Sequence, residues 1–96
     1  MGVVIVTGGS RGIGADICRL AARRGYSVCV NYLHGEKEAN EVAEEIMESH
    51  GRAISVKADV TIEADVSRMF DEATSKLGPV TALVSYFPCQ SNCLAR

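Results

Sequence analysis

Gly8, Gly12 and Gly14 stand where an apolar run, Val3-Val4-Ile5-Val6, gives way to a helical pattern. A strand that ends in a tight turn and feeds a helix leaves unbonded backbone N–H groups at the helix start. Together these carry about half a positive charge and form an anion site. Gly8 permits backbone angles that a Cβ forbids, Gly12 lets a pyrophosphate approach the main chain, and Gly14 lets the helix pack closely on the strand. The spacing G-x₃-G-x-G differs by one residue from the G-x-G-x-x-G of the commonest dinucleotide-binding turn. No Lys-Ser/Thr follows Gly12-Ile13-Gly14, so a Walker loop does not fit. The other reactive residues offer less. Cys89 and Cys93 form a C-x₃-C pair with no histidine nearby, which does not make a metal site. His34 and His50 fall in a loop and at a helix end, and no nucleophile elbow is present.

The elements that position this turn follow from hydrophobic spacing. Val3–Val6, Ser27–Asn31, Ala53–Ala58 and Val80–Val84 read as strands rich in β-branched residues. A helix over residues 12–24 is expected to bury Ile13, Ile17, Leu20 and Ala21, with Gly25 as its C-cap. A second, Glu38–Ser49, is expected to bury Ala39, Val42, Ala43, Ile46 and Met47, with Gly51 closing it and its glutamates facing water. A third, over 63–77, is expected to bury Val66, Met69, Phe70, Ala73 and Leu77, with Thr61 as its N-cap. Cys18 and Cys29 fall within apolar patterns and read as buried thiols. Alternation of strands and helices means βαβ units and an α/β fold. The expected architecture is a partial, doubly wound Rossmann sheet of four parallel strands in order 3-2-1-4. Its first two helices lie on one face and the third on the other.

Composition narrows the function. The chain has 96 residues, 47% apolar, with a net charge of −2 and 5% aromatics, so it suits one domain with no basic tract or base-stacking platform for nucleic acid. The apolar run at the start is too short for a membrane span or signal core. The expected location is the cytosol or a soluble organelle lumen.

Thr7-Gly8-Gly9-Ser10-Arg11-Gly12-Ile13-Gly14 resembles the cofactor motif of the short-chain dehydrogenase/reductase family, most closely its NADP(H)-using reductases and glucose-dehydrogenase-like members. Ala58-Asp59-Val60, at the end of the third strand, resembles the family's adenine-contacting pair. The resemblance implies that Asp59 accepts from the adenine amino group and that Val60 lines the adenine pocket. It covers residues 1–84. NAD enzymes place Asp or Glu at the end of the second strand to hold the ribose hydroxyls; here Asn31-Tyr32 occupies that place. A carboxylate repels a 2′-phosphate and an amide does not, and Arg11 can project toward that phosphate. The expected cofactor is therefore NADP(H) rather than NAD(H). The cofactor set is Gly8, Ser10, Arg11, Gly12, Ile13, Gly14, Asn31, Tyr32, Asp59 and Val60.

The family pattern then stops. Members continue after the fourth strand with Asn-Asn-Ala-Gly, whereas this chain has Ser85-Tyr86-Phe87-Pro88, and residues 85–96 show no period. In the family, a Tyr, a Lys four residues later and a Ser carry the proton to or from substrate. Four residues after Tyr26, Tyr32 and Tyr86 stand Val30, Glu36 and Gln90, so the pair is absent and no catalytic residue is assigned. The expectation is the cofactor-binding, amino-terminal half of an NAD(P)(H)-dependent oxidoreductase, followed by an unrelated tail and inactive by itself. The alternative is a non-catalytic nucleotide-binding module. An apolar fourth strand at the sheet edge would then favour self-association or pairing with an intact family member.

Overall fold

The computed structural model describes residues 2–8 and 12–85. Ser10, Arg11 and the tail from residue 86, with Cys89 and Cys93, lie outside the described residues. The element order is β1 (Val3–Thr7), α1 (Gly12–Arg23), β2 (Ser27–Tyr32), α2 (Glu36–Glu48), β3 (Ala53–Lys57), α3 (Glu63–Leu77) and β4 (Val80–Ser85). The strands are parallel and ordered β3-β2-β1-β4, as the alternation of elements predicts.

Parallel strands buried on both faces read as continuous apolar runs, and β1 is buried at every position. Its side chains divide between two cores because alternate residues point to opposite faces. Val4 and Val6, with Val28 and Val30 of β2, pack under α1 and α2 against Ala15, Cys18, Ala39, Val42 and Ile46. Val3, Ile5 and Cys29 pack under α3 against Met69, Ala73 and Leu77. The two thiols thus lie in different cores. Burial in apolar surroundings pushes each up to about 12, which makes them packing residues and not nucleophiles.

α1 keeps half of the expected stripe, with Ile17 and Ala21 partly buried against the core. Its buried residues are Gly14, Ala15 and Cys18, while Ile13 and Leu20 are 55% and 46% exposed. Small side chains allow the helix axis to come close to the sheet, and that close line of contact fixes which residues turn outward. Met47 of α2 is also exposed, at 49%.

The helix ends show how local chemistry sets the chain path. α1 stops as expected at Gly25, which has a φ of 96°: Gly25 N–H donates to the Ala22 carbonyl and Tyr26 N–H to that of Ala21. α2 ends in the same pattern displaced by one residue. The left-handed residue is His50, with a φ of 71°, and not Gly51. His50 N–H donates to the Met47 carbonyl and Gly51 N–H to that of Ile46. Glycine is needed at 51 for another reason: a Cβ there would lie 2.8 Å from Ile46 Cγ2 and 3.1 Å from its carbonyl oxygen. His50→Gly should therefore stabilise the fold by about 0.5–1 kcal/mol, since it removes a left-handed L-residue. A urea midpoint no higher than that of the wild type would contradict this.

α3 corrects the other capping expectation. Its N-cap position is Ile62, without a side-chain hydrogen bond, and Thr61 instead turns back to Asp59.

Candidate dinucleotide site at the strand carboxyl ends

The three segments bearing the expected site residues leave the sheet at its carboxyl edge: the turn after β1, the turn after β2 and the connection after β3. Parallel pairing brings them together. Val6 pairs with Val30, and Tyr32 pairs with Lys57. At the far side of β1, the Thr7 hydroxyl donates to the Val84 carbonyl at 3.4 Å and ties β4 to the same edge.

Gly8 and Gly12 are the described glycines that bound the turn. Gly8 and Gly12 have φ values of 67° and 63°, the left-handed region that side chains disfavour. Among the described residues, nothing lies within 4 Å of where a Cβ on Gly12 would be. Gly14 is buried, and Ile13 stands exposed beside it. The charge distribution singles out this helix start. α2 carries Glu36 and Glu38 in its first turn and α3 carries Glu63 and Asp65, whereas α1 carries no acidic residue there. Two of the helices thus meet their N-terminal dipoles with their own carboxylates, and α1 has none in its first turn.

A groove rich in carboxylates runs between α1 and α2. It is lined by Asp16, Glu38, Glu41 and Glu45, and Gly12 at the start of α1 borders it. Arg19 closes it with ion pairs to Asp16 (3.1 Å) and Glu45 (3.0 Å).

Asn31 has a place that sequence reasoning does not reveal. It is 3% exposed, and its side-chain amide donates to the Val56 carbonyl at 3.4 Å and to the Ala58 carbonyl at 3.2 Å. Both amide hydrogens are spent on the β3 backbone, just where β3 ends. Tyr32 is buried under α2, and its phenol is pushed up by burial and by the nearby Glu36 carboxylate. The residues that reach the surface after β2 are Leu33 and His34, both exposed.

Asp59 and Val60 follow β3 at the same edge, both partly buried. Asp59 Oδ1 accepts from the Thr61 hydroxyl at 2.6 Å and from the Thr61 N–H at 2.9 Å. The Asp59 N–H donates to Asp65 Oδ2 at 3.0 Å. The Thr61 bonds, and after them the charge of His34, hold the Asp59 carboxyl below its ordinary range. Because the folded value is depressed, these interactions support the fold above the ordinary carboxylate range and are lost as pH falls through the lowered value. Thr61→Val should raise the Asp59 titration midpoint toward the ordinary value in a carboxyl NMR titration. An unmoved midpoint would rule out the hydroxyl as the cause.

The carboxyl edge therefore gathers Gly8, Gly12, Ile13, Gly14, Asp59 and Val60. It keeps Asn31 and Tyr32 beneath the surface as supports. No helix among the described residues is long and apolar enough to cross a membrane.

Comparison with known proteins gives one family. The profile of the short chain dehydrogenases matches residues 2–86. The hydroxynaphthalene reductase-like protein Arp2 of Metarhizium guizhouense is 47% identical over 83 residues, which are 86% of this chain and 31% of that protein. The hydroxynaphthalene reductase of Aspergillus fumigatus is 41% identical over 83 residues, 86% of this chain and 30% of its own length. Among solved structures, a hydroxysteroid dehydrogenase from Escherichia coli superposes with a TM-score of 0.81 at 38% identity, covering 88% of this chain and 35% of that one. A dehydrogenase/reductase from Sinorhizobium meliloti superposes with a TM-score of 0.84 at 34% identity, covering 88% and 34%. The chain thus spans about a third of the length of the curated relatives it matches, at 31% in the first of them.

Proposed function

The chain belongs to the short chain dehydrogenase family, and from that membership we propose that its carboxyl edge holds the pyrophosphate and adenosine of a nicotinamide dinucleotide, NADP(H) in preference to NAD(H). The observation that carries this reading is the start of α1. Gly8 before it and Gly12 at its first position are left-handed, no described residue lies within 4 Å of a Cβ on Gly12, and its first turn has no acidic residue. Backbone N–H groups of the turn, from Gly8 through Ser10, Ile13 and Gly14, hold the pyrophosphate. Asp59 and Val60 flank the adenine, and Arg11 pairs with the 2′-phosphate. A charge-assisted pair of that kind contributes roughly 1–3 kcal/mol. Asn31 and Tyr32 act from below by fixing the ends of β2 and β3.

When bound, the dinucleotide supplies hydride transfer. In the whole protein that chemistry joins NADP(H) to a carbonyl or alcohol, as the names of the reductase relatives suggest for them. The 96 residues contain no Tyr-x₃-Lys, so this stretch binds cofactor and does not turn it over by itself. Calorimetry with NADPH and NADH tests the reading. Heat with NADPH and weaker heat with NADH is expected; no heat with either overturns the site, and equal affinities overturn the preference.

A second reading rests on β4. Its residues, Val80 to Ser85, carry no charge, and Leu83 is 52% exposed on the outermost strand. Such an edge takes a further strand, from the remainder of a family domain or from another copy. The chain then acts as a nucleotide-binding module associated with an intact family member. A strictly monomeric chain that captures no full-length relative argues against it.

A further inference from the structure

We infer that Asp65, backed by Arg68, is a positioning residue for the adenine: from the first turn of α3 it holds the main chain of Asp59, so that one carboxylate oxygen of Asp59 stays free for the adenine amino group. This rests on the dinucleotide reading above, in which Asp59 flanks the adenine. Every other polar group of Asp59 is already engaged. Its N–H donates to Asp65 Oδ2 at 3.0 Å, and its carbonyl accepts from the Ile62 N–H at 2.9 Å. Its Oδ1 accepts from both Thr61 donors. Among the described residues no donor bonds Asp59 Oδ2, and an ionised carboxylate oxygen is an acceptor suited to an amino group.

The Asp65 carboxylate does not do what its place in the helix predicts. It belongs to the third residue of α3, after Glu63 and Ala64. A carboxylate there ordinarily reaches back to the N–H of the N-cap residue. The N-cap residue is Ile62, and its N–H goes to the Asp59 carbonyl instead. Asp65 passes over it to the Asp59 N–H, six residues back. The bond thus secures the segment between β3 and α3 and not the end of its own helix. Arg68 completes the hold. Its Nη2 donates to the Lys57 carbonyl at 2.7 Å and lies 3.8 Å from Asp65 Oδ1. From the sheet side, the Asn31 amide holds the carbonyls of Val56 and Ala58. The main chain over 56–59 is therefore gripped by β2 and by α3 together.

The helix dipole alone does not account for Asp65. Glu63 stands in the same first turn and meets the dipole, yet it makes no hydrogen bond or ion pair among the described residues. Spacing in the sequence does not separate the two acids; the bond to Asp59 does. Glu63 therefore serves as the control. Asparagine at position 65 keeps an oxygen that can accept from the Asp59 N–H, whereas alanine removes the acceptor.

The test compares two probes by calorimetry on the full chain. Inorganic pyrophosphate meets the glycine turn alone, and 5′-ADP also brings the adenine. The wild type should bind 5′-ADP more tightly than pyrophosphate. Asp65→Ala should lower the 5′-ADP affinity about tenfold and leave the pyrophosphate affinity unchanged. Asp65→Asn should recover most of that loss, and Glu63→Gln should match the wild type. Arg68→Ala alters an exposed side chain and should cost 5′-ADP about threefold; it carries the test if Asp65→Ala fails to fold. An unchanged ratio of the two affinities in Asp65→Ala (or in Arg68→Ala in its stead), an equal loss for both probes, no recovery in Asp65→Asn, or an equal effect from Glu63→Gln overturns the role of Asp65 and leaves the dinucleotide site standing. A wild type that binds 5′-ADP no better than pyrophosphate overturns the placing of the adenine itself.

Discussion

Gly12→Val is expected to weaken NADPH binding at least about a hundredfold while the far-UV circular dichroism stays that of the wild type. Gly12 is both the first residue of α1 and a left-handed residue, with a φ of 63°. A β-branched residue there is strained, at about 1–2 kcal/mol or more. The strain falls on the turn, where relaxation displaces the N–H groups that face the anion. The added side chain also enters space that no described residue occupies within 4 Å, which is where a pyrophosphate would come nearest the main chain. Losing two charge-assisted backbone bonds, at roughly 1.5–3 kcal/mol each, corresponds to two to four decades of affinity. Gly12→Ala separates the two causes, since it keeps most of the backbone strain and fills much less space. It should lose less affinity than Gly12→Val. Calorimetric titration of both variants with NADPH measures the loss, and wild-type affinity in Gly12→Val would exclude the turn as the phosphate site.

The parts of the molecule that were legible in the sequence are those governed by period and by glycine. The β-branched runs gave the strands, their alternation with helices gave the order β3-β2-β1-β4, and Gly8 and Gly12 marked a turn whose backbone is indeed left-handed. What escaped was decided by close approach between elements. A hydrophobic stripe weights bulky residues, so it favoured Ile13 and Leu20. The sheet instead takes the side of α1 with Gly14, Ala15 and Cys18, because small residues let the helix settle nearer. The capping rules failed in a similar way. Gly51 is used for its nearness to Ile46, which leaves His50 to make the left-handed turn. The Thr61 hydroxyl donates to Asp59 Oδ1 and does not cap α3, whose N-cap position is Ile62. A single chain position cannot announce which of two local partners lies closer.

Asn31 is the most consequential of these cases, and it separates two meanings of one residue. At the end of β2, an amide in place of a carboxylate suggests tolerance of a 2′-phosphate, and by that logic Asn31→Asp converts the site to NAD(H). The structure gives a different expectation. Asn31 is 3% exposed and donates both amide hydrogens to the carbonyls of Val56 and Ala58. Aspartate cannot donate when ionised, so the variant sets a buried negative charge against two carbonyl oxygens. Breaking a buried polar pairing in this way costs about 3–5 kcal/mol, a large part of the ~5–15 kcal/mol of a small domain. Burial and the carbonyl dipoles raise the carboxyl's folded pKa above its unfolded value. The folded state then holds the extra proton, and the variant regains stability as pH falls. Asn31→Asp should therefore unfold at much lower urea near pH 8 than the wild type, with the gap narrowing near pH 5. The two β3 carbonyls would lose their hold on the segment carrying Asp59, so affinity for both NADPH and NADH should fall together. A variant as stable as the wild type at both pH values, with NADH affinity gained, would mean that this side chain faces the ribose and not the neighbouring strand.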